Sequence, residues 1–114
     1  MGAVVFVYTP LPSKELAEQI ATRLVEKKLA ACGNIFGPIK SVYEWEGTIA
    51  QESEFVLLAK TSKENVEQVK REIGALHPYT VPRIVSFLVS ANKDFADWVV
   101  SQTKAGGTRR QGKR

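Results

Sequence analysis

Hydrophobic and polar positions alternate along this chain with two different periods, and the switches between them predict its elements. AVVFVYT (3–9) is β-branched, aromatic and almost continuously apolar, the pattern of a strand buried on both faces. PLPS breaks it, and Ser13 is well placed to cap a helix. Leu16, Ala17, Ile20, Ala21, Leu24, Val25 and Leu29 then recur at helical spacing, with charged residues filling the other side. That predicts an amphipathic helix lying on one face of a sheet.

Gly33, Gly37 and Pro38 disturb the start of the next segment. From Val42 to Glu46 the chain alternates again, with Tyr43 and Trp45 on one side. Gly47 marks a turn, and TIAQESEFVLLAKT (48–61) returns as a strand with an apolar centre from Phe55 to Ala59. The polar stretch between Gly47 and Phe55 predicts a two-stranded arm beyond the body of the domain. Its unpaired edges invite another chain; a loose surface loop is the alternative. Thr61-Ser62-Lys63-Glu64 matches a capping box, which predicts that Thr61 caps a second helix and Glu64 bonds back. Val66, Val69, Ile73 and Leu76 give that helix its apolar stripe, and His77-Pro78 ends it. VPRIVSFLV (81–89) predicts a fourth strand with Pro82 at its start. Asn92 is placed to cap a short last helix carrying Phe95, Trp98 and Val99.

The order βαββαβ predicts an α+β, ferredoxin-like sandwich. Right-handed crossovers set both main helices on one face of a four-stranded antiparallel sheet. A long hairpin joins the second and third strands, and a short helix follows the fourth. Three of the strands are apolar on both faces, yet two helices cover only one. A second subunit is the expected cover, so an oligomer is predicted.

Composition narrows the class. The 114 residues suit one domain, assigned to residues 1–103. No apolar run is long enough to span a membrane, and MGAVVFVYTP lacks the basic start of a secretory signal, so none is expected. The formal charge of +4 is concentrated in KAGGTRRQGKR (104–114), which has five basic residues and no acid. This Gly-rich tail is expected to be disordered, with weak, salt-sensitive attraction to polyanions rather than specific nucleic-acid binding. Although the ferredoxin-like plan is shared with RNA-recognition domains, FVLLAKT lacks the aromatic strand such domains use. A single cysteine rules out an internal disulfide and fits a reducing, cytoplasmic compartment.

Few residues carry obvious chemistry. His77, the only histidine, reads as a helix stop, a metal ligand or a base. Cys32, in LAACGN, reads as a buried inert thiol or as a soft ligand for copper. The chain has no H-x-x-x-H or C-x-x-C, so Cys32 and His77 can share an ion only if the fold or a second subunit joins them. Lys60 ends a strand where an anion can be met, or is simply solvated.

L-A-A-C-x-N, S-x-Y-x-W-x-G and H-P-Y-x-x-P, at their spacings here, resemble the CutA family of divalent-cation tolerance proteins from about Val4 to Trp98. The resemblance implies the same ferredoxin-like fold, a tight homotrimer with hairpins pairing across subunits, and a PII-like architecture. It further implies tolerance of copper and other divalent cations, with metal near Cys32 and His77. Neither an organic cofactor nor catalysis is expected. Extra cysteines found in some bacterial relatives are absent from this chain. Asn34, Tyr43, Trp45, Lys60, Tyr79 and Pro82 fall in the family motifs, and with His77 they are expected to line an inter-subunit cleft. A small anionic ligand in that cleft, read out as by a PII-type signalling module, is the alternative function.

Overall fold

The computed structural model describes residues 2–104; the basic segment from residue 105 onward, and with it most of the tail expectation, lies outside them. The elements are β1 (Gly2–Leu11), α1 (Lys14–Glu26), β2 (Cys32–Trp45), β3 (Thr48–Thr61), α2 (Val66–Leu76), β4 (Val85–Ala91) and α3 (Lys93–Gln102). The sheet is antiparallel throughout, in the order β2-β3-β1-β4. This is the α+β arrangement that the hydrophobic pattern predicts.

Alternation along the strands assigns each side chain to a face. Val5, Val7, Leu11, Leu57 and Ala59 turn toward α1 and α2, where Ala17, Ile20, Leu24, Val69 and Ile73 complete the main core. The opposite face is only half bare. α3 packs there through Ala96 and Val99 against Val4 and Ala31, flanked by Phe6, Val89, Phe95 and Trp98. The short terminal helix therefore supplies part of the cover that the sequence pattern assigned to another subunit. Beyond it, Phe36, Val85 and Phe87 remain exposed on the same face, beside half-buried Tyr8 and Leu58.

The hairpin outruns the sheet. β1 pairs with β3 only from Val5–Thr61 to Leu11–Phe55, whereas β2 follows β3 to Trp45–Thr48. Residues 48–54 are thus bonded on one side alone, as the predicted arm requires. β2 begins ten residues earlier than its alternation suggests, because Gly37 and Pro38 form an irregularity between Phe36 and Ile39 instead of a break. Gly37 has φ of +150°, and a Cβ there would lie 2.9 Å from the Glu54 carbonyl oxygen, so glycine is required.

Two local expectations fail for tertiary reasons. Ser13 caps α1 as predicted, accepting from the Leu16 amide at 3.1 Å. Thr61, however, does not cap α2. Its buried hydroxyl donates to the Leu29 carbonyl at 2.6 Å, and α2 starts later, after Asn65. The Asn65 amide in turn donates to the Thr103 carbonyl, tying the end of α3 to the start of α2. Likewise Pro82 precedes β4 rather than opening it. The strand starts at Val85, which frees residues 77–84 to cross the end of the sheet.

Candidate functional site

The polar centre of the molecule lies where the arm leaves the sheet, and its hub is Glu54. Period-2 alternation in β3 puts Glu54 on the face shared by Val56, Leu58 and Lys60. It is 1% exposed. Buried carboxylates need donors, and Glu54 receives three of them, one from β2 and two from the loop between α2 and β4. Ser41 in β2 donates at 2.5 Å, the Tyr79 hydroxyl at 2.7 Å, and one Arg83 nitrogen at 2.9 Å to each carboxylate oxygen. Burial pushes the Glu54 carboxyl up, but the three hydrogen bonds and the Arg83 charge outweigh it and hold it below the usual carboxylate range. Tyr79 is pushed far above the usual phenol range, first by burial and then by its bond to Glu54, so it remains a neutral donor.

His77 sits beside this cluster, its ring 4.8 Å from that of Tyr79. It follows the last turn of α2 in extended geometry, as Pro78 demands. Its Nε2 lies 2.9 Å from the Pro10 carbonyl, which can only accept, so Nε2 carries the proton. Nδ1 accepts from the Tyr79 amide at 3.3 Å. Both ring nitrogens are therefore engaged. Burial lowers the His77 pKa below its ordinary value, against the opposing pull of the Pro10 carbonyl and Glu54. The ring is a neutral strut between α2, β1 and the following loop.

A second polar pair lies toward the other end of β3. Lys60, 9% exposed, donates to the Asn34 side-chain oxygen and sits 5.3 Å above the Phe6 ring. Cys32 is directly opposite Lys60 and half-buried.

The predicted cleft residues thus divide. Tyr43, Trp45 and Tyr79 gather in one groove along the arm. Asn34 and Lys60 pair elsewhere, and Pro82 lines neither place. Cys32 opposes Lys60, whereas His77 binds Pro10, which opposes Val56. Those positions are four residues apart on β3, about 13 Å along the strand. One chain does not bring Cys32 and His77 together. Among the described residues no three His, Cys, Asp or Glu side chains converge as ligands, so the donor set of a single chain does not fit a chelated ion. Glu54, Arg83 and Ser41 were not among the residues expected at the site. The available signal was the position of Glu54 on the same side of the strand as Val56 and Leu58.

The family model described as CutA1 divalent ion tolerance protein matches residues 5–102. The chain belongs to the CutA family. The divalent-cation tolerance protein CutA of Archaeoglobus fulgidus is 48% identical over 95 residues, covering 82% of this chain and 92% of that protein. Its namesake from Thermus thermophilus is 41% identical, covering 85% and 95%. Among solved structures, the A. fulgidus protein, named as periplasmic, superposes with TM-score 0.85 at 45% identity, over 89% of this chain and 99% of that one. CutA1 of Ehrlichia chaffeensis gives 0.85 at 38%, over 90% and 97%. An Arabidopsis thaliana CutA, 35% identical, is named as chloroplastic and is covered over 56% of its length. The chain shares with these CutA structures its α+β fold, a four-stranded antiparallel sheet with three helices. None of its described helices is long and apolar enough to cross a membrane.

Proposed function

We propose that this CutA chain works as a cytoplasmic homotrimer in divalent-cation tolerance, without catalysis, and meets copper or another divalent cation only weakly. The observation that carries the reading is the uncovered half of the sheet. Phe36 on one edge strand and Val85 and Phe87 on the other stand 46%, 48% and 43% exposed on this face, beside an arm with an unpaired edge. A surface of that kind is stabilised by a second copy of the chain. The absence of catalysis is supported by the polar cluster, whose Glu54, Tyr79 and His77 are all bonded inward. Weak metal binding is supported by the separation of its donors. Cys32 is the softest of them, and His77 can ligate only by giving up the Tyr79 amide or Pro10.

Size-exclusion chromatography with light scattering tests the assembly. The parent should run at three times the chain mass, and Phe87→Glu should run as a monomer. A monomeric parent would end the proposal. Calorimetric titration of Cu(II) and Zn(II) into the parent, Cys32→Ala and His77→Ala tests the metal. Binding that is unchanged in both variants would remove these residues from it.

Lys60 supports a second reading, a PII-like module that takes a small anion between subunits. It is a buried cation with no carboxylate partner among the described residues. On this reading a bound anion raises the melting temperature of the parent and not of Lys60→Ala.

A further inference from the structure

The groove along the arm has a chemistry of its own, and it does not suit an anion. It encloses about 560 Å³ and is walled by Tyr43, Trp45, Tyr79, Val81, Arg83 and Glu52. Two carboxylates, Glu52 and Glu54, face one guanidinium, Arg83. The charge of that guanidinium is already paired, since one of its nitrogens binds both oxygens of Glu54 at 2.9 Å. It also lies 5.8 Å from the centroid of Tyr43, so this aromatic wall already accepts a guanidinium within the chain. The Tyr79 hydroxyl is likewise spent on Glu54, which leaves its ring to the groove.

Glu52 is different. It is exposed and makes no ion pair among the described residues, yet it lies close enough to Tyr79 to act on that hydroxyl's proton affinity. Pairing of β2 and β3 sets it on the aromatic side of the arm. Ser41 opposes Glu52, Tyr43 opposes Ala50 and Trp45 opposes Thr48, so Tyr43, Trp45 and Glu52 share one face. Three aromatic rings around one uncommitted carboxylate form a site for a cation too soft and too large to need a chelating shell.

We propose that this groove binds an organic cation, a guanidinium or quaternary ammonium head, with Tyr43, Trp45 and Tyr79 as its walls and Glu52 as its counter-charge. The site is separate from Cys32 and from Lys60, and it needs no metal. Its size and open side admit either a free small molecule or the tip of an arginine from another protein.

Trp45 is the natural reporter. In a Trp98→Phe background it is the only tryptophan. Its emission is followed while methylguanidinium, tetramethylammonium or the peptide acetyl-Gly-Arg-Gly-amide is added at fixed ionic strength, with sodium chloride and sodium acetate as controls. Saturable changes with the organic cations are expected, about tenfold weaker in Glu52→Gln. In Glu44→Gln, which alters the opposite side of the arm, the affinity should be unchanged. Tighter binding of the peptide than of methylguanidinium assigns the cation to a protein side chain, and equal binding to a free small molecule; both support the site. A response that does not saturate, an affinity unaffected by Glu52→Gln, or a preference for acetate overturns it.

Discussion

Glu54 and Lys60 stand on the same strand, point to the same face and are both buried, yet they are held in opposite ways. Glu54 has three donors brought from β2 and from the loop after α2, one of them a cation. Lys60 has one neutral acceptor and an aromatic ring. A buried charge with a full set of partners punishes removal of any partner, whereas a buried charge without a counter-ion is itself a cost. One pole of β3 is a closed electrostatic unit, and the other is left open.

The largest effect should come from breaking the closed unit. Arg83→Ala strands the Glu54 carboxylate and is expected to cost about 3 kcal/mol, the low end for a buried pair because Arg83 is itself 44% exposed. Denaturant unfolding at fixed protein concentration measures it. A loss below 1 kcal/mol, on the order of an exposed pair, would mean that water replaces Arg83 without penalty.

Acid should open the same unit from within. Glu54 has its folded pKa below the ordinary 4.5, so its contribution is present above that value and is lost as pH falls through the folded pKa. The folded pKa of His77 is also depressed, below 6.5, so below that pH the unfolded chain binds more protons than the folded one. Stability should therefore decline first below pH 6.5 and again below 4.5. In His77→Gln the first decline should vanish and the second remain. A parent whose stability is flat between pH 6.5 and 5 would contradict the neutral histidine.

Lys60→Met probes the open pole and should go the other way, from no change to a gain of about 1 kcal/mol. A loss above 2 kcal/mol would show that assembly or a ligand brings Lys60 a counter-charge, which would favour the anion reading. The smallest effect is expected at an exposed network. Glu72 joins α2 to α1 by accepting from Arg23 and Lys27, each at 2.9 Å, and Glu72→Gln should cost at most about 1 kcal/mol, measured the same way.

The contrast also explains what the sequence could and could not tell. Element order was legible because each segment's apolar period is set locally, and the arm was legible from a polar stretch following a turn. Tyr43, Trp45 and Tyr79 were legible as a group through aromatic residues at motif spacing. Glu54 was hidden, since it lies in Gln-Glu-Ser-Glu, where nothing local separates a buried carboxylate from the solvated Glu52 two residues earlier. Its burial depends on Arg83, from a stretch that reads as the start of a strand. Thr61 misled for the same reason. A good capping pattern yielded to a carbonyl more than thirty residues away.

The one-sided pairing of residues 48–54 has a temporal side. The hairpin turns at Glu46 and Gly47, both at positive φ, and can zip from that tip through neighbours in sequence. Gly2 and Ala91 must find each other across nearly the whole chain before β4 can dock. Local contacts of the first kind form quickly, and distant ones must first repay the entropy of a long closed loop. The arm is therefore expected to be zipped while Arg83 is still at large. For that interval Glu54 is an open carboxylate on a finished ladder, and the arrival of its guanidinium marks the docking of the loop that leads into β4.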